Sequence, residues 1–220
     1  MSMSKQETIY RQIQERILQG YYQPGDPIIE RVVAEELGAS RIPVRAALLQ
    51  LEQDGLVTLI PNRGANVRIL SPTDLRDLFV ARMAIDGMAA RLAALYMDPS
   101  ELELVDNEYR QILNKNEAPD PELMVSLGSD FHDKITGGCG NPVIARMAVS
   151  IADQVRLSRR LYFPHTSSVQ MLRFANQHIR IVAAIRDRDP DLAEKLMREH
   201  IAETYDLFRV SLDGLGSKQL

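Results

Sequence analysis

The sequence lacks the features that mark several large protein classes. It has one cysteine, Cys139, in 220 residues, which excludes an internal disulfide framework and suits a reducing cytoplasm. It has no run of about 18 apolar residues and no charged-then-apolar leader, so neither a membrane span nor a signal peptide is expected. It has no large charge of either sign. The net charge of -4 argues against indiscriminate coating of nucleic acid by the whole protein, yet leaves room for a local basic surface. It also lacks an HExxH motif, and Cys139 lies in a glycine-rich loop with no adjacent histidine, so no nucleophilic constellation suggests itself.

Charge is unevenly distributed. Residues 1–70 carry eight Lys/Arg and eight Asp/Glu. Within them, residues 37–51 hold Arg41 and Arg45 with no acid, and residues 55–73 hold Arg63 and Arg68 with no acid. Between these lies the pattern of two short helices meeting at a turn. Val32, Val33 and Leu37 share a face of the first, and Gly38 ends it in a left-handed conformation open to glycine. Ser40 then starts a second helix as N-cap, with Val44, Leu48 and Leu51 inward. Arg41 and Arg45, four apart, project together near its N-terminus. A second helix with that start is the reading element of a helix-turn-helix.

The flanking segments complete a domain over residues 1–70. Residues 5–20 read as an amphipathic helix with Ile9, Ile13, Ile17 and Leu18 in a stripe, and the YYQPGDPI stretch as a turn. Thr58–Ile60 and Ala65–Ile69 read as two strands around Pro61-Asn62-Arg63-Gly64. A hairpin in that place is the wing of a winged helix, with Arg63 at its tip.

From Ser71 to residue 220 the pattern is all helical. Cap residue plus proline recurs at Ser71-Pro72, Asp98-Pro99, Asp120-Pro121, Asn141-Pro142 and Asp189-Pro190, where proline at the first helical position loses no hydrogen bond. Asp74, Glu101 and Asp191 add favourable charge at those starts. With a sixth start near residues 166–169, this predicts about six helices of roughly 15 to 25 residues packed as a bundle. The fold class is mainly α: a winged helix-turn-helix followed by an all-α bundle.

Three histidines lie on apolar stripes of that bundle. His178 and His200 are each eleven residues from Asp189, so an antiparallel hairpin of the last two helices sets them level, ~16 Å from its turn. His132 is flanked by Val125, Phe131 and Ile135. A single inward histidine is usually a hydrogen-bonded core residue; three at facing positions suit a divalent metal such as Zn²⁺ or Ni²⁺. Arg82 stands four residues before Asp86, and that spacing fits an intrahelical ion pair.

Residues 1–70 resemble the GntR family of bacterial transcription regulators. The resemblance rests on Gly20, Pro24-Gly25, the run Ser40-Arg41-Ile42-Pro43-Val44-Arg45-Ala46-Ala47-Leu48, Gly55-Leu56-Val57, and Asn62-Arg63-Gly64 with Val67. Ala46 departs from the glutamate usual there. The remainder resembles the FCD effector domain of the FadR-type branch through Arg82-x-x-x-Asp86, Phe131-His132, Gly140-Asn141-Pro142, Gln177-His178, Asp189 and His200. The resemblance implies a cytoplasmic homodimer that binds a palindromic operator and responds to a small organic acid. It implies DNA contacts from Arg31, Ser40, Arg41, Pro43, Arg45 and Arg63, with Gly64 letting the wing backbone approach DNA. It also implies that Arg82 can clamp an effector carboxylate bidentately, and that His132, His178 and His200 ligate a metal. Family metal sites add an aspartate four residues before the first histidine; Gly128 stands there. Asp130, two residues from His132, points about 160° away on a regular helix, so no carboxylate ligand is expected.

The sequence leaves one rival reading from another class. Open positions on a metal are also what a catalytic site has, so a small α-helical metalloenzyme joined to a DNA-binding module is the alternative. A purely architectural DNA-binding protein would instead show a bundle interior without polar convergence.

Overall fold

A computed structural model describes residues 4–61, 63–115, 117–163 and 166–216. Asn62, read from the sequence as part of the wing turn, lies outside the described residues. The elements run α1 (Lys5–Leu18), β1 (Pro27–Ile29), α2 (Glu30–Glu36), α3 (Arg41–Gln53), β2 (Val57–Ile60), β3 (Gly64–Val67), α4 (Pro72–Tyr96), a 3-10 turn (Pro99–Leu102), α5 (Glu103–Asn114), α6 (Pro121–Gly138), α7 (Pro142–Tyr162), α8 (Ser168–Arg186) and α9 (Pro190–Gly216). They form two compact units. One is Met1–Ser71 with Asp153–Arg160 of α7, and the other is Pro72–Ala152 with Leu161–Leu220.

In the first unit, Ile9, Ile13 and Ile17 of α1 and Val44, Ala47, Leu48 and Leu51 of α3 are buried, and α1 packs on α3. Each large side chain so buried contributes about 1.5–3 kcal/mol relative to exposure. Gly38 adopts φ +56°, as expected at the turn between α2 and α3. Ser40 occupies the N-cap position in extended conformation, but its side chain makes no cap hydrogen bond; the residue starts the helix without the expected hydroxyl cap.

The β-structure is larger than the sequence suggested. β1 overlaps the end of the stretch read as a turn, and the sheet runs β1-β3-β2, all antiparallel. A three-residue strand is too short to show alternation, and Pro27 is tolerated as the first residue of an edge strand. Gly64 is buried with φ +134°. A Cβ there would lie 2.1 Å from the Ile28 carbonyl oxygen of β1. This is a packing reason for glycine, separate from any approach to DNA.

In the second unit, most of the expected caps form. The Asp98, Asp120, Asn141, Ser167 and Asp189 side chains accept from the backbone N–H of Ser100, Glu122, Val143, Gln170 and Leu192. The Asp98 start departs from expectation, because Pro99 opens a 3-10 turn and α5 then runs only 12 residues. The dominant pairing is α4 with α9. It is close because α4 presents Ala89, Ala90, Ala93 and Ala94, and because a Cβ at Gly87 would lie 2.8 Å from Arg198 Cγ. The helices α8 and α9 pack on each other after the turn at Asp187–Asp189.

Candidate nucleic-acid interface and metal centre

In the first unit a cleft of about 620 Å³ is lined by Ile29, Arg31, Arg41, Ile60, Arg63 and Asn66, among others. Three of the arginines proposed from sequence therefore converge on one concave surface between the sheet and the starts of α2 and α3. Arg31 pairs with Glu35 at 2.7 Å, both exposed, a contact of little energetic weight that a phosphate can displace. Arg41 is not free of acid, contrary to the sequence reading. Glu30, eleven residues earlier and nearly buried, accepts from Arg41 Nη2 at 3.2 Å. The signal was missed because Glu30 lies on the preceding helix, and only the turn folds it back. Arg45 is exposed and makes no ion pair among the described residues, and the Arg63 side chain is likewise exposed. Pro43 is half-buried, and Ser40 is exposed beside Arg41.

In the second unit the three histidines meet. His132 on α6, His178 on α8 and His200 on α9 are each about 5% exposed or less, and one ligand atom of each lies within 4.8 Å of the others. His178 Nε2 and His200 Nε2 are 3.1 Å apart, close to the about 3.3 Å between two nitrogens on a tetrahedral zinc. Apolar walls hold the rings: His178 lies 4.3 Å from Phe131 and 4.8 Å from Tyr109, centroid to centroid. His200 Nδ1 is 2.8 Å from Gln177 Oε1. The donor set and its buried surroundings fit a divalent cation.

The three histidines are the candidate ligands, and a carboxylate from another helix stands behind one of them. Gly128 leaves α6 without one, and Asp130 is exposed near Lys134, as expected from its helical angle. Asp86 of α4, however, sets its Oδ2 3.0 Å from His132 Nδ1. The sequence exposed Asp86 only as a neighbour of Arg82, and the packing of α4 on α6 brings it to the histidine. Arg82 is 2% exposed, and its Nε donates to Asp86 at 3.2 Å. Its Nη1 and Nη2 have no hydrogen-bond partner among the described residues. Burial pulls this guanidinium below its ordinary pKa, and Asp86 opposes that shift. Both sequence readings of Arg82 thus remain compatible: the ion pair exists, and two donors stay unspent.

Two family models match the chain. Residues 5–67 match the model for bacterial regulatory proteins of the gntR family, and residues 77–203 match the FCD domain. The chain belongs to the GntR family, FCD branch. It is a DNA-binding transcription regulator, with relatives of the same kind. It is 28% identical to the HTH-type transcriptional repressor RspR of Escherichia coli K12 over 203 residues, covering 92% of this chain and 88% of that one. It is 29% identical to the HTH-type transcriptional repressor GlaR of the same organism over 213 residues, covering 93% and 96%. Its fold resembles that of E. coli McbR/YncC, with a TM-score of 0.79 at 18% identity over 96% of this chain and all of the other. Among the described residues of this GntR regulator, no helix is long and apolar enough to cross a membrane.

Proposed function

We propose that this GntR regulator is a cytoplasmic homodimer that reads a palindromic operator with Arg41, Arg45 and Arg63 and senses a small carboxylate in its FCD bundle with the help of a bound metal. The observation that carries the sensing half is the convergence of His132, His178 and His200 beside a buried Arg82 with two unspent donors. His132, His178 and His200 would hold Zn²⁺ or Ni²⁺, which supplies a Lewis-acidic point of attachment for an anionic ligand. Asp86 holds His132 from outside, and Arg82 offers a planar fork for a carboxylate. On the DNA side, a bidentate arginine on guanine supplies ~1–3 kcal/mol of discrimination. Two recognition helices in a dimer meet half-sites one DNA turn apart. The effector alters operator affinity only by the difference in its affinity for the two DNA-binding states.

We read the bundle as a sensor rather than an enzyme, in line with relatives named as repressors. Metal analysis of protein purified without chelator, beside His178→Ala, tests the sensing half. Near-stoichiometric metal in the wild type and its loss in the variant are expected, and less than about 0.2 metal per chain in the wild type would overturn it. On genomic fragments selected by the wild type, Arg45→Ala should abolish the gel shift while leaving helical content and oligomeric state unchanged. Consumption of a candidate acid by the purified protein would favour the enzyme reading.

A further inference from the structure

We propose that Gln177, anchored by Glu203 and Arg173, is a positioning residue of the metal centre that selects which ring nitrogen His200 presents to it. The metal-binding part of this inference rests on the reading given under Proposed function; the tautomer part rests on hydrogen-bond geometry alone. The hydrogen-bond chain starts at the surface. Glu203 of α9 places Oε1 2.9 Å from Arg173 Nη2 and Oε2 2.7 Å from Gln177 Nε2. A carboxylate only accepts, so the Gln177 carboxamide must turn its NH₂ toward Glu203. Its oxygen then faces the other way, and Oε1 lies 2.8 Å from His200 Nδ1. An amide oxygen cannot donate, so Nδ1 carries the hydrogen. A neutral imidazole protonated at Nδ1 has its lone pair on Nε2, and that atom lies 3.1 Å from His178 Nε2.

The arrangement is set by helical spacing on both strands of the α8–α9 hairpin. Arg173 and Gln177 are four apart on α8, and His200 and Glu203 are three apart on α9, so each pair shares a face. Without the Glu203 carboxylate the amide is free to turn by 180° and offer NH₂ to His200. That forces the hydrogen onto Nε2, where it points into the histidine group and blocks coordination. Arg173 and Glu203 are partly exposed, so the ion pair between them contributes little to stability. Their effect on the centre is therefore separable from an effect on folding.

The test uses the full-length protein and Zn²⁺ as probe. Ring-nitrogen chemical shifts of His200 in the metal-free protein should report Nδ1–H in the wild type and a mixture of tautomers in Glu203→Gln. Chelator competition should give Gln177→Leu a ~10–100-fold weaker Zn²⁺ affinity. The exchange Gln177→Glu/Glu203→Gln, which keeps an acceptor facing Nδ1 and turns the residue 203 amide NH₂ toward it, should retain affinity within a few-fold, and thermal melts of the metal-free variants should match the wild type. Wild-type His200 protonated at Nε2, or Gln177→Leu binding Zn²⁺ as tightly as the wild type, overturns the proposal. A wild type that binds no Zn²⁺ refutes the metal reading and the positioning role with it, while the nitrogen shifts still decide the tautomer.

Discussion

Replacing Gly64 with alanine should unlatch the edge of the winged-helix sheet. The position has φ +134°, a region that L side chains rarely adopt, at a cost of about 1–3 kcal/mol. The new Cβ would also meet the Ile28 carbonyl oxygen at 2.1 Å and the Ile28 carbonyl carbon at 3.2 Å. These are backbone atoms, so no rotamer change relieves the contact. β1 must move away by about 1 Å, at an overpacking cost of about 1–3 kcal/mol. The sum, about 2–6 kcal/mol, is a large share of the about 4–10 kcal/mol expected for a unit of about 70 residues. The contacts at risk are the pairing of Ile29 with Gly64 and the Gly25 N–H to Val67 and Val67 N–H to Asp26 bonds. Native-state hydrogen exchange by mass spectrometry reads these amides directly. At 1.4 kcal/mol per decade, protection around residues 25–30 and 64–67 should fall about 30-fold or more. Wild-type protection in Gly64→Ala together with lost operator binding would refute the packing argument and give the glycine a role at the DNA surface instead.

Two further perturbations probe the charged interior and the first unit. Asp86→Ala leaves Arg82 buried without its counter-charge and should cost about 3–5 kcal/mol in denaturant unfolding, more than the double change Arg82→Met/Asp86→Ala; a single variant as stable as the wild type would show that the guanidinium finds another partner. Tyr10 is held above its ordinary pKa by burial and then by its 2.7 Å hydrogen bond to Asp54. Because the folded pKa is the higher one, its contribution is complete below pH about 10 and is lost as pH rises toward the folded value. Wild-type stability should therefore decline more steeply than that of Tyr10→Phe above pH about 10, and parallel alkaline limbs in pH-dependent melts would contradict this.

Much of the fold was legible because it depends on local chemistry. The proline-plus-cap starts at Asp120, Asn141 and Asp189 announce helices through groups a few residues apart, and those caps form. The stripe Ile9-Ile13-Ile17-Leu18 likewise has a spacing that fits a helix and not the alternation of a strand. The strand β1 was illegible, since three residues carry no alternation and its pairing with β3 spans 35 to 39 positions in sequence. The candidate site divides in the same way. The levelness of His178 and His200 follows from equal counts to a turn, and the 3.1 Å contact agrees with it. Glu30 against Arg41 and Asp86 against His132 are contacts between different elements, and no spacing rule predicts them.

The sequence by itself therefore determined the α-helices, most of their starts and where the candidate side chains sit on them, because capping, helical period and turn geometry act over one or two turns of chain. Only the tertiary structure decided which acids meet which bases across different elements. The packing of α4 on α6 brings a carboxylate to a centre whose own helix carries Gly128. The pairing of α8 with α9 commits Gln177 to His200. Packing also closes β1 over Gly64 so tightly that a methyl group would not fit. Such contacts depend on how elements dock, and docking is governed by the shape of whole surfaces rather than by any local run of residues.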